Sequence, residues 1–251
     1  ILQYFGGDER GSIPPKGVNH FPISIPVGTQ GLHAVGAAMA ATIQKKKFAT
    51  VACLGDGASS EGDMNEAMNF AGVFRAPVIF LCQNNQYAIS VPVKQQTAAE
   101  TLAQRAVGFG FEGVRVDGND ILAVYSAAAA AVKKAYHGEG PTLIECFTYR
   151  LNNHTTSDDA SKYRSEAEVA AWRKKDPVQR LRKFLVAKKI WNDKKESQLL
   201  ADVEKQVSRS VAEYEKIPKA DVDDIFKYTY SEMPQLLRQQ LDEYKKLIEG
   251  K

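Results

Sequence analysis

The sequence predicts an α/β fold, a parallel sheet flanked by helices, with a helical C-terminal extension. Three observations carry this. An apolar run, Val51-Ala52-Cys53-Leu54, ends in Gly55-Asp56-Gly57 and is followed by Met64, Ala67, Met68, Ala71 and Phe74 at the spacing of one buried helix face. A second apolar run, Val78 to Cys82, then closes in Asn84-Asn85. Such a strand–helix–strand unit places its two strands parallel. The alternation then continues with strand-like Gly113–Asp117, alanine-rich Asp120–Tyr136 and strand-like Thr142–Phe147, which is the rhythm of a doubly wound sheet. From Ser165 onward the apolar runs give way to charged amphipathic segments. The expected domains are residues 1–165 and the helical extension 166–251.

The elements follow in order. Residues 1–22 are rich in Gly and Pro and read as loop, with His20 a surface or packing residue. Ser24–Gln30 leads into a helix from about Gly31 to Lys45, whose Gly36/Ala40 and Ala37/Ala41 pairs allow close backbone approach. Lys45-Lys46-Lys47 is a solvated helix end. Ser60 is placed to cap the helix after Gly57. Thr97–Val107 reads as a short helix with Thr97 as N-cap and Glu100 three residues on. Gly138-Glu139-Gly140-Pro141 stops the alanine-rich helix. Asn152–Ser161 is polar throughout and must be a loop, mobile or functional. Residues 166–175, 177–188 and 196–214 are expected helices, and Ile225, Tyr228, Tyr230, Met233, Leu236 and Leu237 form an apolar set on a short final segment.

The 251 residues suffice for a full core. A net charge of +3 with 25% charged residues carries no polyanion signature, so no nucleic-acid partner is expected. Cys53, Cys82 and Cys146 each lie in an apolar run and are expected as buried free thiols, as in a reducing cytoplasmic compartment (the mitochondrial matrix in a eukaryote). No run is long enough to span a membrane, and no signal or transit peptide is visible.

Asp56 and Asn85 both fall beyond the carboxyl end of a strand, where parallel sheets bind ligands. One offers a carboxylate oxygen and the other an amide oxygen, the hard donors that Mg²⁺ takes alongside phosphate oxygens. Glycines beside Asp56 let backbone approach phosphate, and the following helix turns its positive end toward the same place. A bare Gly-Asp-Gly is also an ordinary turn. Spacing adds specificity: positions 58 to 83, 26 residues, separate Gly57 from Asn84.

That spacing resembles the thiamine diphosphate motif. SIPVGTQG (Ser24–Gly31), GDGASSEGD (Gly55–Asp63), NNQYAIS (Asn84–Ser90), RVDGND (Arg115–Asp120) and HTTSDDASKYR (His154–Arg164) occur in that order. From about Gly17 onward the chain resembles the α subunit of the decarboxylase component of 2-oxo acid dehydrogenase complexes, and its TSDD stretch is more like the branched-chain than the pyruvate type. The resemblance implies the diphosphate-binding domain of the thiamine diphosphate fold. It implies Mg²⁺ on Asp56, Asn85 and the Tyr87 carbonyl, with Ile25, Val27, Gly57, Ala58, Glu61, Gln83 and His154 at the cofactor. It also implies K⁺ at Ser24, Pro26, Thr29 and Gln30; chemistry alone reads that loop as a helix cap. Gln83 stands where branched-chain relatives often have arginine, which removes a charge from the phosphates. For His154 the resemblance implies a catalytic donor to the terminal phosphate or to developing charge.

By the same resemblance the partners are a β subunit in an α₂β₂ tetramer, which contributes the glutamate that activates the cofactor ring, and a lipoyl-bearing acyltransferase core. The substrate is a 2-oxo acid. In mitochondrial relatives a serine beside the histidine is phosphorylated; Thr155 stands there, and Ser165 at a second such position. Relatives also carry a segment before the position of Ile1 that helps hold the diphosphate. The expectation is therefore a fragment, a processed chain, or an altered relationship to the family. Two alternatives stand beside the branched-chain reading: a pyruvate or acetoin dehydrogenase α subunit with the same site, and a non-catalytic chain that uses the fold for assembly.

Overall fold

The computed structural model describes residues 7–250, so residues 1–6 of the expected N-terminal loop and Lys251 lie outside the described residues. The chain forms two compact units, Ser24–Asn192 and a second made of the residues up to Ile23 together with Asp193 onward. The expected division at residue 165 falls inside the first unit.

In the Ser24–Asn192 unit, α1 (Thr29–Ile43) precedes β1 (Thr50–Gly55), α2 (Gly62–Val73) and β2 (Val78–Asn84). A small hairpin, β3 (Tyr87–Ala88) and β4 (Val91–Pro92), runs into the single turn α3 (Val93–Gln96). Then come α4 (Arg105–Gly108), β5 (Glu112–Asp117), α5 (Ile121–Tyr136), β6 (Thr142–Phe147), α6 (Glu166–Arg173) and α7 (Pro177–Ala187). The four long strands form one sheet in the order β1-β2-β6-β5, and every pairing is parallel.

Strand alternation divides the core into two layers. Val78, Phe80, Cys82 and Leu143 face α1 and α2, packing on Ala34, Val35, Ala38, Met64, Ala67, Met68 and Ala71. Ile79, Ile144 and Cys146 face the opposite way, against Ala131 and Ala135 of α5. The central strands are thus apolar on both faces, as parallel sheets require. Phe80 is fully buried; such a side chain contributes about 1.5–3 kcal/mol. The two crossover helices thus take opposite faces of the sheet.

Several expectations are corrected. Cys53 is exposed while Cys82 and Cys146 are buried, all three free. β1 is the sheet edge, and α5 packs on β2, β5 and β6, so the face carrying Val51 and Cys53 has no helix over it among the described residues. Thr97–Val107 is not one helix: Thr97 closes α3, and Thr101 caps a 3₁₀ turn, Leu102–Gln104, before α4. Ser60 does not cap α2, since the segment Gly57–Ser60 is itself a 3₁₀ turn and Glu61 holds the cap position. Phe74 lies at the end of α2 and is exposed, so the buried face ends at Ala71. Close approach in α1 occurs at Gly31, where a β-carbon would come within 2.9 Å of Met64, and not at Gly36, which faces open space. The alanine-rich helix begins at Ile121, and Asp120 is its N-cap, accepting from the Leu122 and Ala123 amides.

The second unit holds a 3₁₀ turn at Glu9–Ser12, α8 (Asp193–Glu215), α9 (Asp224–Lys227) and α10 (Gln235–Ile248). The last is a full helix rather than a short segment. Leu241 is its buried residue, and Phe226 packs on Tyr244 at 6.4 Å. Arg10 pairs with Asp8 and donates to the Pro218 carbonyl at 2.8 Å, and Lys245 pairs with Asp223.

Gly113 in β5 has no room for a side chain: a β-carbon there would lie 1.9 Å from the Ala103 carbonyl oxygen. Gly113→Ala should destabilise the protein by about 1–3 kcal/mol through overpacking against backbone. At about 2–4 °C per kcal/mol, a calorimetric melt would read this directly.

Candidate functional site at the carboxyl ends of the strands

The register sets Gly55 beside Gln83, and Asn84 beside Phe147, so the chain leaves β1, β2 and β6 at one edge of the sheet. Asp56 is the first residue beyond β1 and is 1% exposed. Its carbonyl accepts from the Ser59 amide at 3.1 Å and from the Ser59 hydroxyl at 2.6 Å, which closes the 3₁₀ turn. The Arg105 guanidinium donates to the Ser59 carbonyl from outside. Gly57 is pressed against the loop after β2; a β-carbon on it would sit 2.8 Å from the Ala88 β-carbon.

The Asp56 carboxylate receives one donor on each oxygen. The Asn85 amide donates to Oδ1 at 3.2 Å and the Gln96 side chain to Oδ2 at 2.7 Å. Both donors are neutral. A buried carboxylate with only neutral donors is costly unless a cation joins it.

After β2 the backbone makes two side-chain-closed turns. Asn84 Oδ1 accepts from the Gln86 amide at 3.1 Å, and Asn85 Oδ1 accepts from the Tyr87 amide at 3.2 Å. Gln86 is thereby held at φ +74°, and Ile89, whose carbonyl accepts from Arg150, lies at φ +54°. Such left-handed positions cost of order 1–3 kcal/mol each in non-glycine residues and persist where neighbours over-determine them. Here the Gln86 side chain donates to the Thr148 carbonyl at 2.7 Å and the Gln86 carbonyl accepts from Val93. The donor set of Asp56, Asn85 and the Tyr87 carbonyl is one carboxylate and two neutral oxygens. These residues fit a hard divalent cation such as Mg²⁺: among the described residues the buried Asp56 carboxylate accepts only from neutral donors, while the nearby guanidinium of Arg150 is on the Tyr87 carbonyl.

Arg150 connects this turn to the polar loop. Its guanidinium donates to the Tyr87 carbonyl at 2.9 Å, the Ile89 carbonyl at 2.6 Å and the Tyr163 hydroxyl at 2.8 Å, and lies 3.4 Å from His154 Nδ1. A guanidinium only donates, so where this contact is a hydrogen bond Nδ1 is its acceptor and a neutral ring carries its proton on Nε2. His154 is exposed, and the residues Leu151–Thr156 line an open depression. Asp158 accepts from the His154 amide at 2.7 Å and from the Tyr163 hydroxyl at 2.6 Å. Arg164 caps the carbonyls of Arg150, Leu151 and Asn152. The loop expected to be mobile or functional is thus cross-linked by its own side chains. Ser165 caps α6 through the Glu168 amide, and Thr155 pairs with the Ser157 hydroxyl.

Of the remaining sequence-derived positions, Ser24, Ile25, Pro26 and Val27 lie on an exposed loop before α1. Gly28 (φ +95°) follows and would place a β-carbon 3.0 Å from that of Glu61, so this loop touches the turn after Asp56. Thr29 opens α1, and Gln30 donates to the Cys53 carbonyl of edge strand β1 at 3.0 Å. Gln83 is exposed at the end of β2, and its carbonyl accepts from the Asn85 amide at 2.8 Å. The structure therefore brings together Asp56, Gly57, Asn85 and Tyr87, joins Tyr87 to His154 through Arg150, and sets Gly28 against Glu61. Ile25 and Val27 are exposed side chains on the loop before α1.

Sequence reasoning missed Gln96, Arg150 and Glu145. Nothing in the sequence marks Gln96, the last residue of the single turn α3. Arg150 follows a strand in a position any solvated arginine takes. Glu145 did carry a signal: it is a carboxylate in the otherwise uncharged run Thr142–Phe147, and it is 1% exposed.

Asp158 tests the loop. The His154 backbone hydrogen bond, followed by the Tyr163 hydroxyl, holds its carboxyl below the usual range. A depressed folded value stabilises the loop above the unfolded value and loses that contribution as pH falls through the folded one. Hydrogen-exchange protection of the His154 amide should therefore hold at neutral pH and fall away below about pH 4, and Asp158→Asn should remove the pH dependence.

Residues 3–223 match the family described as Dehydrogenase E1 component. The chain is 49% identical over 222 residues to the 3-methyl-2-oxobutanoate dehydrogenase subunit alpha of Mycobacterium tuberculosis, covering 88% of this chain and 60% of that relative. It is 42% identical over 252 residues to the pyruvate dehydrogenase E1 component subunit alpha of Acholeplasma laidlawii, covering 100% of this chain and 73% of that relative. With the Staphylococcus aureus protein of the same name the identity is 44% over 240 residues, 95% of this chain and 65% of the relative. The chain thus spans about 60% of the length of the first of these relatives. On the family match and these identities, the chain belongs to the dehydrogenase E1 component family.

Proposed function

We propose that this chain is the diphosphate-binding α-type component of a thiamine diphosphate-dependent 2-oxo acid dehydrogenase, which decarboxylates its substrate oxidatively and passes the acyl group to lipoyl groups. The carrying observation is the buried Asp56 carboxylate, set among neutral donors beside Asn85 and the Tyr87 carbonyl at the strand ends. Family membership supports the same reading.

In this reading Asp56, Asn85 and the Tyr87 carbonyl hold Mg²⁺. Gly57, Ala58 and Glu61 line the phosphates, with Ile25, Val27 and Gln83 around the cofactor. Thiamine diphosphate, when bound, supplies the electron sink for loss of CO₂ from a 2-oxo acid. Asp56 offsets the charge of the dication from a site that excludes water. His154, with Nδ1 engaged by Arg150, presents its Nε2 proton to a phosphate or to developing negative charge. Gln83 offers hydrogen bonds but no charge. K⁺ at Ser24, Pro26, Thr29 and Gln30 is supported by the hydroxyl and carbonyl oxygens of a loop that touches Glu61 through Gly28.

A β-type subunit completes the site and a lipoyl-bearing acyltransferase receives the acyl group. Among the described residues no helix is long and apolar enough to cross a membrane. A branched-chain substrate is favoured by the higher identity to the 3-methyl-2-oxobutanoate enzyme, 49%, against 42% and 44% for the two pyruvate enzymes. The pyruvate reading stands second on those two relatives.

Assembled with its β-type partner, the protein should decarboxylate branched-chain 2-oxo acids faster than pyruvate in the presence of Mg²⁺ and thiamine diphosphate, measured with an artificial electron acceptor. Preference for pyruvate would correct the substrate, and no turnover by the assembled protein would contradict the reading. Asp56→Ala should abolish cofactor binding, and an Asp56→Ala protein that binds as the parent does would overturn the metal assignment.

A further inference from the structure

We infer that Glu145 is a positioning residue that sets the Asn84–Tyr87 turn from beneath the sheet, and that the metal-facing oxygens depend on it. This rests on the proposed function for the metal but not for the turn.

Glu145 occupies β6, a central strand, where an apolar residue would pack without a desolvation penalty. Taking a carboxylate out of water costs several kcal/mol in real proteins, and apolar replacements of buried ion pairs are often neutral or stabilising. The fold therefore gains little stability from choosing glutamate here. What the carboxylate does is hold two donors. Oε1 accepts from the Asn84 side-chain amide at 2.7 Å, and Oε2 accepts from the Ala103 backbone amide at 2.9 Å. Arg115, with Nε 3.7 Å from Oε1 and its guanidinium 4.0 Å from the centre of the Phe147 ring, supplies the nearby positive charge.

The consequence runs through Asn84. With its nitrogen turned to Glu145, its oxygen faces the other way and accepts from the Gln86 amide. Both Glu145 oxygens accept from N–H groups, and an oxygen that accepts there fits only this orientation of the Asn84 amide. That bond helps hold Gln86 at φ +74°, the strained residue between Asn85 and Tyr87. Glu145 thus fixes one amide orientation, the amide fixes the turn, and the turn aims the Asn85 side-chain oxygen and the Tyr87 carbonyl. Glu145 reaches no reacting group itself.

The test uses the assembled protein carrying Glu145→Gln. Glutamine keeps the shape but cannot accept from both Asn84 and Ala103 through its two ends. Hydrogen exchange of the Gln86 and Tyr87 amides should accelerate by about tenfold or more, while β2 amides from Val78 to Gln83 keep their protection. Affinity for Mg²⁺ with thiamine diphosphate, titrated by calorimetry, should weaken about 10–100-fold, the usual effect of removing a partner behind a ligand. Asn84→Ala breaks the same relay while leaving the carboxylate in place. It should reproduce the exchange signature, which shows what loss of the Asn84 link does; if Glu145→Gln does not fold, Glu145→Asp, which keeps the charge but draws it back from Asn84, decides the matter by the same readout. Acceleration spread evenly over β2 and β6, or none in the turn, would overturn the inference. If the parent protein shows no Mg²⁺-dependent cofactor binding, the functional reading fails, and the exchange data still decide what Glu145 does.

Discussion

One hydrogen bond ties the site together: the Asn85 amide to Asp56 Oδ1, across the ends of β1 and β2. It is possible only because the parallel register sets Gly55 beside Gln83. It also requires Gly57, since any side chain there would push the Ala88 loop away. The bond carries no net charge to the carboxylate, and neither does the one from Gln96. Burial without a counter-charge is the constraint that the surroundings satisfy in part and leave open toward a cation. The same feature raises a cost to folding and creates affinity for a metal.

The polar loop has a base and a tip held by different forces. At the base, Tyr149 stacks on Trp172 at 5.3 Å and meets Tyr87 edge-on at 6.0 Å, while Phe147 meets Trp172 at 5.5 Å. Each such pair contributes about 0.5–1.5 kcal/mol beyond its area. Burial pushes the Tyr149 phenol up to about 12, and also raises that of Tyr87, which stays protonated and donates to Glu168 of α6. At the tip the contacts are hydrogen bonds to Asp158, from the exposed His154 amide and the partly buried Tyr163 hydroxyl, which water competes for. Packing therefore anchors the loop, and the polar network chooses its conformation. α6 belongs to this arrangement through Trp172 and Glu168, and the change of character at Ser165 marks a change of composition more than a break in packing.

Much of this was legible in the sequence. The strand–helix periodicity placed β1, α2, β2, β5, α5 and β6 because each has one strong apolar pattern and a clear stop. The Asp56 and Asn85 positions follow from where strands end, which is a local property. Expectations failed where neighbours decide. Cys53 reads like Cys82 in sequence, and only sheet order makes one an edge residue. Thr97–Val107 has helical composition, but Glu145 takes the Ala103 amide, and a 3₁₀ turn capped by Thr101 results. Arg150 and Gln96 act through contacts 63 and 40 positions away in the chain, which no local pattern encodes.

The central claim is that the strand-end oxygens of Asp56, Asn85 and Tyr87 form a divalent-cation site for the diphosphate. The most direct measurement is a crystal structure of the assembled protein with thiamine diphosphate and Mn²⁺ in place of Mg²⁺, read by anomalous scattering. The account predicts a single strong peak within coordination distance of all three oxygens, with diphosphate oxygens completing the shell. A peak elsewhere, or bound diphosphate with no metal at Asp56, would contradict it.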